Sequence, residues 1–480
     1  MREFGKFGPL IGAIDEGTSN VKFLVFAANT SEVLTYHQLP LKRFSPQDGW
    51  VEQDALEIIH SVVECIEVTV DNLRKLDINP EDVVGISITN QRETTIVWNS
   101  RTGKPLYSAI VWLDVRTSKI VDELNKNKGK RCINAVTRTS GLPLSTYFSS
   151  VKLKWLLENV TDVKRAVSAN ECMAGTVDSW LIWCIGDQQA ALVGQNCMNF
   201  GQVKCTYGTG CFILYNTGES IVHSENGLLT TVAYKLGPTA PPIYALEGSV
   251  AIAGDMLQWL QDNLEILPDI SETERLATEV SDDEEGSICF VPAFNGLYSP
   301  HWRKDARGVM CGLSSSTSAC HVVRAALAAV CHQAGGVADA MARDAAPPRR
   351  LLADGGMAQN TTLMQMQADV LGIPVIRPLM MESTALGAAM VAGAALRVWP
   401  ATTPSPPSDT FIPAISSDER EIRRARWEKA LERCMGWSTE EKIESGAKEE
   451  ADYTTAVLPS GLFFLGTALL VIIADKLKMI

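Results

Sequence analysis

Three glycine-containing segments of the chain combine carboxylates, hydroxyls and small residues in a way that suits the binding of nucleotide phosphates. They are residues 15–20 (Asp-Glu-Gly-Thr-Ser-Asn), 206–212 (Thr-Tyr-Gly-Thr-Gly-Cys-Phe) and 353–360 (Ala-Asp-Gly-Gly-Met-Ala-Gln-Asn). Glycine turns can aim backbone N–H groups at phosphate, and a carboxylate such as Asp15 can hold a hydrated metal ion. Asp-x-Gly-Thr alone also fits an ordinary polar hairpin turn. The three segments together favour a nucleotide site.

The sequence pattern also predicts the elements that hold these segments. An apolar run enters the first turn and an alternating Val/Phe/Val run leaves it, so residues 11–26 are predicted to form a strand, a turn and a strand. Residues 203–215 repeat this pattern. A helix is predicted to begin near Met357, after the Gly355-Gly356 pair, and its N-terminal dipole would favour a phosphate. Two similar halves are therefore predicted to face one cleft.

The composition is that of a protein with two globular cores. The chain has 480 residues, of which 46% are hydrophobic and 21% are charged. Its formal net charge of −13 argues against nonspecific binding to nucleic acid. The 12 cysteines show no zinc-site spacing and no disulfide framework, so reduced thiols are expected. Neither a P-loop nor a Gly-x-Gly-x-x-Gly turn is present, which disfavours those nucleotide folds.

Two further polar segments lie between the first and the second of these glycine-containing segments. Residues 88–95 read Ile-Thr-Asn-Gln-Arg-Glu-Thr-Thr, and residues 186–192 read Gly-Asp-Gln-Gln-Ala-Ala-Leu. With these, the stretch 11–437 resembles the FGGY carbohydrate kinases, and among them those that act on glycerol. The resemblance implies an α/β fold of two actin-like, ribonuclease-H-like domains around a central cleft, at residues 11–195 and 196–437. It implies the ATP-dependent phosphorylation of glycerol to sn-glycerol 3-phosphate.

The resemblance also assigns the acceptor side of the reaction. A glycerol hydroxyl needs a base, and the matching position is Asp187; an N-terminal cap of the following helix is the alternative role for this residue. The resemblance places glycerol between polar groups that bind its hydroxyls and an aromatic wall, a set of rings that pack against its carbon atoms. These residues are Arg92, Glu93, Asp187 and Gln188, with Trp112, Tyr147 and Phe212 as the wall. Single aromatic residues are also typical of an ordinary core.

The nucleotide side is assigned by the same resemblance, with ATP and Mg²⁺ as cofactors. Asp15 is expected to hold Mg²⁺ through water, and Lys22 is expected to face the transferring phosphate. Glu16 stands where glutamine is frequent in the family, which is expected to weaken ATP binding modestly. The predicted nucleotide ligands are Thr18, Ser19, Asn20, Lys22, Thr209, Gly210, Gly254, Gln258, Gly356 and Asn360.

The chain departs from the family pattern just before Asp187. Only Cys184, Ile185 and Gly186 separate Asp187 from a strand predicted over residues 175–183, where the family carries several dozen residues. The first domain is therefore predicted to be truncated, with apolar surface exposed and Asp187 poorly positioned. An active glycerol kinase, a catalytically impaired membrane scaffold, and a kinase for another polyol or sugar all remain open.

The last part of the chain has a different character. Residues 438–455 form an acidic linker, and residues 456–474 are 19 residues without a charge. As a helix they would span about 28 Å, close to the thickness of a bilayer core. They are predicted to anchor the kinase on the cytosolic face of a membrane. The mitochondrial outer membrane is the predicted location, and the kinase body is expected to lie in the cytoplasm. A buried C-terminal helix is the alternative, and a homo-oligomer remains open.

Overall fold

Two β-sheets with the same internal plan organise the chain, which is represented by a computed structural model. The structure describes residues 4–127, 129–181, 185–236, 240–280, 288–400 and 407–438. The predicted linker beyond Ser438 and the predicted membrane helix 456–474 lie outside these residues. Within the described ranges, no helix is long and apolar enough to cross a membrane.

The first half of the chain contains nine strands and seven helices among its described residues. The strands are β1 (Leu10–Glu16), β2 (Asn20–Ala27), β3 (Val33–Pro40), β4 (Glu52–Gln53), β5 (Val83–Asn90), β6 (Thr95–Asn99), β7 (Ala109–Ile110), β8 (Cys172–Thr176) and β9 (Ile185–Gly186). The helices are α1 (Ala55–Lys75), α2 (Ser118–Asn127), α3 (Gly129–Ser140), α4 (Ser149–Asn159), α5 (Thr161–Ser168), α6 (Val177–Leu181) and α7 (Asp187–Gly194). The main sheet has the order β3-β2-β1-β5-β9, and a smaller sheet has the order β4-β7-β6-β8.

The second half continues with further strands and helices. The strands are β10 (Val203–Tyr207), β11 (Cys211–Gly218), β12 (Leu229–Tyr234), β13 (Ile243–Val250), β14 (Cys289–Val291), β15 (Val309–Cys311), β16 (Leu351–Asp354), β17 (Val375–Pro378) and β18 (Ser408–Phe411). The helices are α8 (Gly254–Asp262), α9 (Thr273–Thr278), α10 (Ala319–Asp344), α11 (Thr361–Leu371), α12 (Ser383–Ala395) and α13 (Ser417–Arg433). The main sheet has the order β12-β13-β11-β10-β16-β17-β18.

Both predicted hairpins are present, and they occupy equivalent places in the two sheets. Strand β1 pairs antiparallel with β2 and parallel with β5. Strand β10 likewise pairs antiparallel with β11 and parallel with β16. Each turn therefore lies at the carboxyl end of its first strand, beside the end of a parallel neighbour. This repetition gives the two-domain α/β architecture that the sequence predicted.

Alternating burial explains why the first hairpin is stable. Ile14 and Phe23 face a core that includes the apolar stripe of α1. Leu24 and Phe26 point the other way, into a core shared with α12 from the second half of the chain. Removing both faces from water stabilises the sheet by about 25 cal/mol for each Å² of apolar surface. The turn is thus held on a strand pair that is buried on both sides.

Helices α7 and α12 cross with their backbones in contact, and this crossing joins the two halves. A Cβ atom at Gly387 would lie 1.8 Å from the carbonyl oxygen of Ala190. A Cβ atom at Gly194 would lie 1.9 Å from the carbonyl oxygen of Ser383. Only glycine permits this approach, so the position of α7, which begins with Asp187, is fixed against the second half.

Two predicted elements differ from the structure. The strand predicted over residues 175–183 was wrong at Val177–Leu181, because β8 ends at Thr176 and the short helix α6 follows; residues 182 and 183 lie outside the described residues. The helix predicted near Met357 begins later, at Thr361, after a 3₁₀ turn at Gly356–Gln359. The extra turn lets Asn360 cap the helix, since its side chain accepts a hydrogen bond from the Leu363 N–H at 2.9 Å.

Candidate active site

The turns of the two hairpins contact each other. The hydroxyl oxygens of Ser19 and Thr209 lie 2.9 Å apart. Each turn is closed by its own backbone hydrogen bond, from Gly17 N–H to the Asn20 carbonyl at 2.9 Å and from Gly208 N–H to the Gly210 carbonyl at 2.9 Å. Segments that are 190 residues apart in the sequence therefore present N–H groups and hydroxyls at one place.

The third glycine segment packs against the second turn. Gly355 has a φ of +90°, and a Cβ atom there would lie 2.4 Å from the Tyr207 carbonyl oxygen. Gly254, the first residue of α8, donates its N–H to the Gly208 carbonyl at 2.9 Å. A Cβ atom at Gly356, in contrast, would meet nothing within 4 Å. The structure thus leaves open space beside Gly356, next to the two turns at residues 17–20 and 208–210, which are named the phosphate turns after their predicted role.

Two predicted nucleotide ligands, Asn360 and Gln258, form hydrogen bonds within their own helices. The Asn360 side chain caps α11, as described above. The Gln258 amide donates to Asp262 on the same helix at 2.7 Å. Among the described contacts, none joins either side chain to Ser19 or Thr209.

Arg92 forms the centre of the predicted acceptor site. Its two terminal nitrogens donate to both carboxylate oxygens of Glu247, at 2.7 and 2.5 Å. Its Nε lies 3.3 Å from Asp187 Oδ1 and has no hydrogen-bond partner among the described residues. The Phe212 ring lies against the guanidinium, 5.7 Å from ring centroid to Cζ. Arg92 is therefore held in one orientation beside the predicted base.

The predicted aromatic wall is assembled and buried. The Trp112 ring makes edge contacts with Tyr147 and Phe212, with centroids 5.9 and 5.3 Å apart. Its indole N–H donates to the Thr18 hydroxyl at 2.9 Å. This bond connects the aromatic wall directly to the first phosphate turn.

Glu93 and Gln188, the other predicted acceptor ligands, already have partners. Glu93 has a φ of +64°, and its Oε2 accepts hydrogen bonds from the N–H and hydroxyl of Ser149, both at 2.7 Å. Buried Lys152 donates to the carbonyls of Glu93 and Tyr147 at 2.8 Å each and so fixes both residues. The side-chain amide oxygen of Gln188, Oε1, accepts a hydrogen bond from the buried ammonium group of Lys204.

Several partly or fully buried carboxylates cluster in the site, and burial together with this clustering raises their pKa values. Burial is the main cause that raises the pKa of Asp15 to about 7; the charge of Lys22 opposes this rise, and the charges of Glu382, Asp187 and Asp354 add to it. Burial also raises the pKa of Glu16 to about 8, while its hydrogen bonds to Gln91 lower it. Such a cluster is stabilised when a cation joins it.

Burial likewise raises the pKa of Asp187, and the charges of Arg92 and Lys204 oppose that rise. Asp187 lies in the first turn of α7, where its Oδ1 accepts the N–H of Gln188 at 2.7 Å; the cap position itself is Gly186. Asp187 was expected to be poorly positioned, but the structure places its Oδ1 3.3 Å from Arg92 Nε. It lies beside Arg92 although only five residues of the sequence separate it from the last residue of α6.

Lys22 and Asp15 differ in how they meet their predicted roles. The Lys22 ammonium is paired with Glu382, 2.7 Å from each carboxylate oxygen, so it faces a protein carboxylate in this structure. Among the described residues, no three Asp, Glu, His or Cys side chains converge to hold a metal ion directly. Asp354 is buried; burial raises the pKa of its carboxyl, while nearby Lys204 and the side chains of Thr206, Gln195 and Ser383 lower it. Asp15 and Asp354 lie close enough for their charges to influence each other, and oxygen ligands of this kind suit a Mg²⁺ ion that keeps several of its waters.

Sequence reasoning missed several charged residues that build the site. Glu247 orients Arg92, Lys204 binds Gln188, and Glu382 binds Lys22. Glu247 and Lys204 lie inside buried strands, and both are almost fully buried. A lone charge within an apolar strand is the sequence signal that could have identified these two, because buried charges need partners.

Two domain descriptions of one protein family match the chain. The N-terminal domain of the FGGY family of carbohydrate kinases matches residues 10–198. The C-terminal domain of that family matches residues 203–396.

Relatives agree with this match over nearly their whole length. The chain is 39% identical over 536 aligned positions to a probable glycerol kinase from Dictyostelium discoideum, covering 89% of this chain and 99% of the relative. It is 40% identical over 514 positions to a glycerol kinase from Arabidopsis thaliana, covering 88% of this chain and 97% of the relative.

Solved structures share the architecture. Plasmodium falciparum glycerol kinase with ADP superimposes with a TM-score of 0.73 at 29% identity, covering 89% of this chain and 98% of that one. A xylulose kinase from Lactobacillus acidophilus shares the fold. It is 17% identical and has a TM-score of 0.68, covering 88% of this chain and 97% of that one. Sequence motifs, paired sheets and relatives lead to one assignment: the chain belongs to the FGGY family of carbohydrate kinases.

Proposed function

We propose that this chain transfers the γ-phosphoryl group of ATP to glycerol and forms sn-glycerol 3-phosphate, which feeds glycerol catabolism and glycerolipid synthesis. One observation carries the proposal. Trp112, in the aromatic wall beside Arg92 and Asp187, donates a hydrogen bond to Thr18 in the phosphate turn. A polyol on that wall would therefore lie next to phosphates held by the two turns. The similarity to glycerol kinases supports glycerol as the acceptor.

Asp187 is the proposed base. A glycerol hydroxyl has a pKa far above neutrality, so a carboxylate must accept its proton as the oxygen attacks the γ-phosphorus in line. Burial raises the pKa of Asp187 and makes it a stronger proton acceptor, while Arg92 and Lys204 favour its ionised form. The 3.3 Å approach of Arg92 Nε supports a fixed orientation for this carboxylate.

The proposed acceptor site discriminates through hydroxyl groups. Arg92 Nε is a buried donor without a hydrogen bond among the described residues, and a glycerol hydroxyl would satisfy it. Glu93 Oε1 takes part in neither bond to Ser149, so it is proposed to accept from a hydroxyl. A compound that lacks these hydroxyls would leave buried polar groups unpaired, which costs about 1–3 kcal/mol for each group.

ATP and Mg²⁺ are the proposed nucleotide and metal. The Ser19 and Thr209 hydroxyls and the turn N–H groups would bind phosphates, and the space beside Gly356 would receive the nucleoside. Asp15 would hold Mg²⁺ through water, with Asp354 close enough to influence its charge. When bound, Mg²⁺ neutralises charge on the transferring phosphoryl group. The ADP in the Plasmodium relative supports the nucleotide part of the proposal.

A second candidate is a catalytically impaired scaffold with a truncated first domain. The alignment with the Arabidopsis enzyme extends over 514 positions, more than the 480 residues of this chain, although only 88% of the chain takes part. That relative therefore has internal residues without a counterpart here. We propose that they are missing between α6 and Asp187. The placement of Asp187 beside Arg92 favours the active enzyme over the scaffold.

A substrate comparison tests these alternatives. The purified full-length chain is incubated with MgATP and either glycerol or D-xylulose, and the phosphorylated product is identified by mass spectrometry. The proposal expects glycerol 3-phosphate and little sugar phosphate. A preference for xylulose would instead indicate a kinase for another polyol or sugar, and binding of MgATP without any transfer would indicate the scaffold.

Membrane attachment is a separate proposal. Residues 456–474 lack charges over a length that matches a bilayer core, about 28 Å as a helix. We propose that they anchor the enzyme on the cytosolic face of a membrane, preferably the mitochondrial outer membrane, where exported ATP is available. The kinase body would remain in the cytoplasm.

A further inference from the structure

Two cysteines lie against each other at the base of the second phosphate turn. The sulfur atoms of Cys205 and Cys211 are 3.2 Å apart, and both side chains are fully buried. Cys205 is in β10 and Cys211 is the first residue of β11, directly after Gly210. In the strand register Cys211 pairs with Tyr207, so Cys205 lies one diagonal step away on the same face. The loop between them contains Thr209.

We propose that Cys205 and Cys211 form a reversible disulfide bond that displaces the phosphate turn and weakens nucleotide binding. A disulfide brings its two sulfurs to about 2.04 Å, so bond formation requires an approach of about 1.2 Å from the present geometry. The bond formation itself is independent of the proposed function, whereas its effect on turnover rests on that function.

The contacts of the turn explain why a small movement matters. Thr209 touches Ser19 through the hydroxyl contact at 2.9 Å. A Cβ atom at Gly210 would lie 3.0 Å from the Trp112 ring, which leaves little room on that side. The Thr209 carbonyl also accepts the N–H of Ala253 at 3.0 Å. A shift near 1 Å in such a site can lower a rate about a hundredfold.

The oxidation is balanced with hydrogen peroxide as the oxidant. The Cys211 thiolate attacks a peroxide oxygen and the O–O bond breaks, giving a sulfenic acid and, after protonation, one water. Cys205 sulfur then attacks the sulfenic sulfur, the S–O bond breaks, and the second water leaves. Two thiols and one peroxide thus give one disulfide and two waters. Because both sulfurs are buried, the turn must open first, and a bound nucleotide should slow the reaction.

A mass measurement tests the disulfide directly. Cleavage after Lys204 and Lys235 releases residues 205–235 as one tryptic peptide, and Cys205 and Cys211 are its two cysteines. The full-length chain is treated with peroxide, alkylated with iodoacetamide under denaturing conditions and digested. The expected result is a peptide that carries no alkyl group and has lost two hydrogen atoms, with slower formation in MgADP. A peptide that still carries two alkyl groups would overturn the proposal.

The functional effect is tested on the same samples. MgADP affinity by calorimetry, and turnover with ATP, should fall about tenfold or more on oxidation and return after dithiothreitol. Cys205→Ala, or Cys205→Val if the alanine variant does not fold, should resist this loss. Cys197→Ala, at another buried cysteine, should remain sensitive. The proposed effect on the turn would be overturned if the disulfide formed without a change in MgADP affinity, or if the Cys205 variants lost as much MgADP affinity on oxidation as the unmodified chain. Because MgADP binding is measured without turnover, this test holds even if the reduced chain is inactive.

Discussion

At the residue scale, the acceptor site is organised by charges that hold one another in place. Glu247 fixes two nitrogens of Arg92, and Asp187 lies beside the third. Lys152 has a comparable role for Glu93, since it binds the backbone of that residue and of Tyr147. These groups give the site a fixed shape before any substrate is present.

Arg92→Ala should selectively weaken the acceptor site. The glycerol KM should rise while the ATP KM stays nearly unchanged. The value of kcat/KM for glycerol should fall roughly 30- to 1000-fold, which corresponds to a loss of about 2 to 4 kcal/mol of transition-state stabilisation. Because the substitution also strands Glu247, the double variant Arg92→Ala/Glu247→Gln serves as the control for stability. Recovery of the glycerol KM in the double variant would show that Arg92 acts only by pairing with Glu247.

Lys152 should make stability depend on pH. Burial lowers its pKa from an ordinary 10.5 to about 7, so the unfolded chain binds more protons between those values and stability rises with pH in that window. Compared with Lys152→Met, the free energy of unfolding of the unmodified chain should increase by about 2 kcal/mol from pH 7 to pH 9. Urea titrations at both pH values measure it, and parallel changes in the two proteins would contradict the assignment.

At the element scale, each phosphate turn depends on the element beside it. The second turn receives the first residue of α8 and the Gly355-Gly356 loop, and its tip contacts the first turn. Two adjacent glycines in this loop serve different purposes. Gly355 permits close packing on Tyr207, whereas Gly356 borders open space.

Alanine substitution of these two glycines should separate stability from binding. Gly355→Ala adds a Cβ atom 2.4 Å from the Tyr207 oxygen at a φ of +90°, and should lower the free energy of unfolding by about 1 to 3 kcal/mol. Gly356→Ala should leave stability within about 0.5 kcal/mol and lower ADP affinity about tenfold. Urea denaturation and calorimetry measure these quantities. Equal ADP affinity in Gly356→Ala and the unmodified chain would argue against a nucleoside beside Gly356.

The sequence predicted the hairpins because their patterns are local, whereas the aromatic wall was assigned only by the family resemblance. Alternating burial and glycine turns identify residues 11–26 and 203–215, and the structure places both as predicted. It could not show that Glu382 binds Lys22, because the two residues are joined only when α12 packs on the first sheet. The charge of Glu247 inside an apolar strand was a usable signal, but its partner Arg92 could not be named from sequence because the two residues are 155 positions apart. The helix near Met357 was displaced because the Asn360 cap competes with an earlier start.

At the scale of the whole molecule, charge pairs connect the first half to the second beside the predicted site. Arg43 binds Asp255 through two hydrogen bonds at 2.9 and 2.7 Å, and Lys22 and Arg92 bind Glu382 and Glu247. With the α7 and α12 crossing, these pairs hold the two phosphate turns together. The site therefore depends on both halves.

The proposed membrane helix should be separable from the catalytic body. A chain ending at Thr455 should move from the carbonate-resistant membrane fraction to the soluble fraction, because it lacks the uncharged stretch 456–474. Its kcat and KM should match those of the full-length chain. If the full-length chain already fractionates as soluble, the membrane proposal is wrong and the stretch packs elsewhere.

The most direct test of the central claim is glycerol 3-phosphate formation by the full-length chain and by Asp187→Asn, measured side by side with ADP binding. The account predicts glycerol-dependent product from the unmodified chain, and a kcat roughly 10²- to 10⁴-fold lower for Asp187→Asn at unchanged ADP affinity. The amide keeps the shape of the side chain but cannot accept the hydroxyl proton. Equal kcat in the two proteins, or no product from a chain that binds MgATP and glycerol, would contradict the account.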